Sequence, residues 1–165
     1  MAANTATVLS SFRKELLNAS HAFGVPSTGS GRTAVRDTFC IALFRNSSGI
    51  GPANTSYTQI SASEVTSSGY TAGGNSCATT DPATTGGTGI VAFWTPASVA
   101  AWTNVTMTGS NATDLALLYN STCTAKLGVA TFALGVIDTG QAPSAGTFTL
   151  TMPVNDGSTG LIRIT

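Results

Sequence analysis

Asp37-Thr38-Phe39-Cys40-Ile41-Ala42-Leu43-Phe44 is the stretch on which the fold turns. Successive side chains of a strand point to opposite faces, so six consecutive apolar positions from Phe39 to Phe44 imply a strand buried on both faces. The reading is a central strand with a cover on each side, one cover being an N-terminal helix. A second stretch, Thr147-Phe148-Thr149-Leu150-Thr151-Met152, alternates strictly. Its Phe148, Leu150 and Met152 share one face and its threonines the other, the pattern of a half-buried strand.

Around these two stretches, short β-rich runs are separated by Gly, Asn, Pro and Ser. Strands are expected at 38–44, 58–65, 89–94, 104–108, 114–119, 128–137, 146–152 and 161–165. The fold class is therefore mainly β: a single β-sandwich, jelly-roll or immunoglobulin-like, of about eight strands.

One amphipathic helix precedes the sandwich, at 7–23. An ideal wheel places Val8, Leu9, Phe12, Leu16, Ala19 and Phe23 on one arc, and Ser11, Lys14, Glu15, Asn18 and His21 on the other. Gly24 and Pro26 end it, and 24–36 reads as a loop. The 165 residues form a single domain in this reading, with the sandwich at 37–165. A chain of this length buries roughly 70% of its unfolded surface and needs no metal or disulfide framework to fold.

Only 8% of the residues are charged, seven acidic against seven basic. Ordinary globular proteins carry about 25%. The cations Arg13, Lys14, Arg32, Arg36, Arg45, Lys126 and Arg163 are scattered, without the clustering that neutralises phosphates, so no nucleic-acid partner is expected. No run reaches the ~18 apolar residues of a membrane span, and the opening residues lack the pattern of a secretory signal, so neither a membrane nor an export route is expected. Cys40, Cys77 and Cys123 form no CxxC pair. They predict buried thiols, with a Cys77 to Cys123 pair left open, and no metal or cofactor.

Three motifs suggest chemistry and are better read as structure. Val136-Ile137-Asp138-Thr139-Gly140 looks like one catalytic loop of an aspartic protease, but a dyad needs two, and only a dimer would supply the second. The motif is expected to be a plain turn after a strand. Gly29-Ser30-Gly31-Arg32-Thr33-Ala34 fits a dinucleotide fingerprint only formally, because no strand precedes it. His21, the sole histidine, falls on the polar arc of the wheel and is expected to be an idle surface residue. Six Asn-x-Ser/Thr sequons, at Asn18, Asn46, Asn54, Asn104, Asn111 and Asn120, are expected by chance in so Ser- and Thr-rich a chain.

Several segments, taken in order, resemble a group of small virion proteins of tailed bacteriophages, the head decoration, cement or head-fibre proteins. Ser11-Phe12-Arg13-Lys14-Glu15-Leu16-Leu17 with His21-Ala22-Phe23 is similar to that group's opening helix, and Asp37 to Phe44 to its "D-x-F-K-I-A-L-Y" strand, with Cys40 and Phe44 as departures. Tyr57-Thr58, then Glu64-Val65 leading to Gly69-Tyr70-Thr71-Ala72-Gly73-Gly74, is the most distinctive piece. Ala116-Leu117-Leu118-Tyr119-Asn120 and Gly146-Thr147-Phe148-Thr149-Leu150 complete the series.

The resemblance implies a non-enzymatic protein on the outer surface of a capsid, binding the major capsid protein and stabilising the head. A tail or receptor-binding virion component is the alternative reading, followed by a dimeric aspartic protease and an adhesin-like module. Near-zero net charge and an apolar helix arc also point to a homo-dimer or trimer. Phe12, Leu16, Phe23, Tyr70 and Trp102 are the candidate interaction residues, and no catalytic, cofactor-binding or metal residues are expected.

Overall fold

The computed structural model describes residues 6–24, 35–45, 48–51, 53–85, 91–122, 133–141 and 144–164. Among them lie eleven short strands and one α-helix. The strands are β1 (Ala6–Val8), β2 (Phe39–Arg45), β3 (Asn75–Ala78), β4 (Ala83–Thr84), β5 (Ala92–Trp94), β6 (Ser98–Val99), β7 (Trp102–Val105), β8 (Thr113–Asn120), β9 (Ala133–Gln141), β10 (Gly146–Phe148) and β11 (Ile162–Ile164). All pairings are antiparallel. A six-stranded sheet runs β1-β9-β8-β2-β3-β6, and two smaller sheets run β10-β7 and β11-β5-β4. The class is mainly β with one helix, as the sequence patterns imply.

The stretch from Phe39 to Phe44 is the inner strand its composition demands. β2 pairs with β8 along its length and with β3 on its other edge. Phe39, Ile41 and Leu43 enter one apolar cluster, with Ala116 and Leu118 of β8 and with Trp94, Trp102, Val105 and Phe148 from the smaller sheets. Ala42, Phe44, Leu117 and Tyr119 point the other way, onto Leu9 and Ile60. Both faces are therefore buried, but different elements cover them. The smaller sheets cover one, and a largely non-strand segment around residues 57–60 covers the other.

That segment corrects an expected strand at 58–65. It holds two 3-10 turns, Tyr57–Gln59 and Ser61–Ser63, and only Glu64 bridges to Phe44. The alternation at 146–152 survives in burial more than in pairing. Phe148 is buried and Leu150 and Met152 half-buried, while the three threonines are exposed, yet the ladder stops at Phe148. β3 had no counterpart among the expected strands. Ala133–Gln141 extends past the expected 128–137, and Asp138 sits inside it, opposite Leu115, rather than in a turn. Residues 25–34, with the dinucleotide-like stretch, and Cys123 lie outside the described residues.

The helix is shorter than the wheel assumed. α1 spans Ser10–Leu17, because Val8 is taken into β1, paired with Gly135 of β9. At the other end the chain turns at Ala19, φ 52°, well before Gly24. The Ala19 amide donates to the Leu16 carbonyl and the Ser20 amide to that of Glu15, a Schellman closure with alanine where glycine is usual. Phe12 is buried inside and Leu17 is exposed. Beyond the turn, residues 20–23 no longer follow the helical period, which explains why the wheel misplaced them.

Candidate interaction site

Among the described residues, two buried polar clusters and an apolar groove stand out chemically. The first cluster centres on Glu64, which is buried. Its carboxylate accepts from the Tyr57 hydroxyl at 2.6 Å, the Tyr70 hydroxyl at 2.5 Å and the Gly73 amide at 2.8 Å. Tyr70 oxygen accepts from the Leu43 amide of β2, and the Tyr119 hydroxyl donates to the Gly73 carbonyl while its ring stacks on Tyr57. All three tyrosines of the chain meet here. Burial, and for Tyr57 and Tyr70 the bond to the Glu64 carboxylate, push their hydroxyls well above the usual tyrosine value.

Glycines make this convergence possible. A Cβ on Gly74, φ +68°, would lie 1.9 Å from the Ile41 carbonyl oxygen, and one on Gly69, φ +79°, 1.9 Å from that of Thr103. No side chain fits at either position. Tyr57, Glu64, Gly69 to Gly74 and Tyr119 therefore act as one buttress against β2 and β8. Part of the resemblance lies on these residues, and their role here is to hold the chain together.

The second cluster joins Glu15, His21, Asp37 and Asn120, all buried. The Asn120 amide nitrogen donates to Asp37 Oδ2 at 2.7 Å and faces His21 Nδ1 at 3.0 Å, and His21 Nε2 lies 3.0 Å from Glu15 Oε2. The Thr122 amide, which can only donate, fixes Asn120 Oδ1 as acceptor and so turns the Asn120 NH2 toward the ring. His21 Nδ1 must then accept, and Nε2 carries the hydrogen that is donated to Glu15. Asp37 also accepts from the Ala22 amide, and its own amide donates to the Ala22 carbonyl. The rings of Phe12, Phe23 and Phe39 surround the imidazole.

The expected surface histidine is thus a core histidine. Glu15, placed with it on the polar arc, is buried as its partner. The reason is the turn at Ala19, which carries His21 back under the helix. The arrangement holds acid and base groups in contact, but the His21 side chain is 0% exposed, so no substrate reaches it. Asn120 is 0% exposed as well, which rules out glycan attachment there in the folded chain. Among the described residues no group of three or more His, Cys, Asp or Glu side chains is placed to hold a metal ion.

The groove is apolar and reaches the surface. Leu16 of α1, Phe23, Ala92, Phe93 and Trp94 of the β5 region, Ile162 and Ile164 of β11, and Pro82 line about 80 Å³. Of the expected interaction residues, Leu16 and Phe23 meet here. Phe12 and Trp102 are only 1% and 2% exposed, which removes both from the chain's own surface. Tyr70 is half-buried and belongs to the Glu64 cluster. The sequence reading missed β11 and Phe93 as groove walls, although the apolar ends of Ile162-Arg163-Ile164 carried a signal.

Cys40 and Cys77 are free thiols, and burial pushes that of Cys77 up to about 12. No helix among the described residues is long and apolar enough to cross a membrane. Comparison with protein-family models, with curated proteins and with solved structures gives no match.

Proposed function

We propose that this is a structural virion protein, a capsid decoration or cement protein that binds the outer surface of the major capsid protein lattice and stabilises the head. One observation carries the reading. Three of the segments that resemble the phage decoration group, 37–44, 57–74 and 116–120, far apart in sequence, come together as one buttress around β2, β8 and Glu64. We read the two buried polar clusters as parts of the packing, in keeping with a binding module. We read the two smaller sheets facing the large one as the second layer of a sandwich, and the working form as a homo-dimer or trimer whose repeated contacts with a lattice add as avidity.

Mixing the purified protein with expanded heads that lack it tests the reading. The expected outcome is attachment, with electron microscopy placing the added density outside the capsid. Recovery with tails alone would support the tail-component alternative. Light scattering at micromolar concentration is expected to give a dimer or trimer mass, and a monomer would remove the oligomer from the proposal. An Asp138→Asn variant is expected to attach like the wild type.

A further inference from the structure

We infer that the outer face of α1, continuous with the apolar groove, is a docking surface for an acidic protein patch that carries an apolar side chain. On the capsid reading, from which the partner's identity is taken, that patch lies on the lattice subunit. The chemistry of the partner follows from α1 itself. A helix turns about 100° per residue, so Phe12, Glu15 and Leu16 share the inner arc, while Arg13, Leu17, Ser10 and Lys14 spread over an outer arc of about 100°. Leu17 lies between the two cations. It is 90% exposed, more than any other large apolar side chain among the described residues. Arg13 stands one turn from Leu16, so the outer face runs directly into the groove.

Among the described residues the charge on this face has no ion-pair partner, neither Arg13 nor Lys14 forming one. The helix's one acid, Glu15, is turned inward to His21. Asp37 and Glu64 are buried, Asp81 is bound by Arg36, and the Asp156 carboxylate is held by the amides of Ser158 and Thr159. On α1 itself the exposed face therefore carries the two cations, while the one acid of the helix is turned inward. Two cations flanking an exposed leucine beside an apolar groove are complementary to carboxylates flanking an apolar anchor. A lipid surface would need a wider apolar face than one leucine supplies.

Attachment to undecorated heads of the wild type, Arg13→Gln/Lys14→Gln and Leu17→Ser tests this, with thermal melts confirming that these exposed substitutions leave the fold intact. The double variant is expected to bind about tenfold more weakly at low salt, the gap closing by about 0.5 M salt, where charges beyond a few ångströms are screened. Leu17→Ser is expected to weaken binding at every salt concentration. A parallel measurement follows NMR shifts on titration with a synthetic peptide of one leucine flanked by glutamates, and expects them to map to residues 10–17. If the wild type ignores heads but the peptide maps to α1, the docking face stands and the capsid reading falls. Equal head binding by all three proteins overturns the docking face and leaves the capsid reading. Variants that lose only self-association, or only binding to phosphatidylserine vesicles, also overturn it.

Discussion

The Glu64 cluster and the His21 cluster bury carboxylates by opposite means. Glu64 is one charge surrounded by neutral donors, two tyrosine hydroxyls and a backbone amide. Around His21, two carboxylates belong to one network, and a single amide, that of Asn120, links Asp37 to the imidazole that Glu15 holds from the other side. The first arrangement spreads its task over several donors, so losing one leaves others. The second runs through the Asn120 NH2, which faces two acceptors, and it ties α1, the entry to β2 and the end of β8 together.

That difference ranks the responses to substitution. Asn120→Asp should have the largest effect, about 4 kcal/mol of lost stability by denaturant unfolding, because it sets a carboxylate against Asp37 Oδ2 and removes the donor to His21. Glu64→Gln should cost less, about 2 kcal/mol, since the amide oxygen can stay at the Oε1 position for Tyr70 and Gly73 while its NH2 faces the Tyr57 hydroxyl, which can accept. Equal losses would show that the two clusters share their load in the same way.

Alkaline titration separates the clusters by a different route. Tyr57, Tyr70 and Tyr119 have hydroxyls raised above their ordinary value, first by burial. The folded state then holds protons that the unfolded state releases from about pH 10 upward. Their contribution is fully present below that pH and is lost as pH rises toward the folded values. The Cys77 thiol, raised to about 12, adds a loss that begins nearer the ordinary thiol range. Stability followed by circular dichroism should therefore be flat from neutral pH to about 8, decline slightly through the thiol range and fall steeply above 10. Tyr119→Phe should flatten the fall, and a variant of the His21 cluster should leave its slope unchanged.

The sequence disclosed what depends on period and hid what depends on long-range pairing. Phe39 to Phe44 declared a two-sided strand because six apolar side chains in a row leave neither face of a strand fit for water. The threonine alternation at 147–151 declared a buried face by its period of two. The segment at 58–65 carried strand-like residues, but Glu64 is claimed by Tyr57 and Tyr70, and meeting those hydroxyls bends the chain into 3-10 turns. Glu15 and His21 looked like surface residues because nothing local announces that Asn120, about a hundred positions away, completes their network. The groove was half legible. Leu16 and Phe23 stood out on the wheel, whereas the β11 wall depends on its pairing with β5.

The smallest predicted effect lies in how each cluster obtains its turns. Around Glu64 the left-handed positions are glycines, Gly69, Gly73 and Gly74. The turn that delivers His21 uses alanine, Ala19 at φ 52°, where an L side chain is strained by roughly 1 kcal/mol. Ala19 is exposed, so removing its methyl opens no cavity. Ala19→Gly relieves the strain and keeps both closing hydrogen bonds to Leu16 and Glu15, while the freer unfolded chain takes back part of the gain. The expected net result is a stabilisation of about 0.5 kcal/mol, read as a small rise in the denaturation midpoint with an unchanged slope. Ala19→Val should instead destabilise, because a β-branched side chain suits the left-handed region worst. A loss of stability in the glycine variant would mean that the alanine methyl is held by a contact worth more than its strain, and that the His21 turn is built as firmly as those around Glu64.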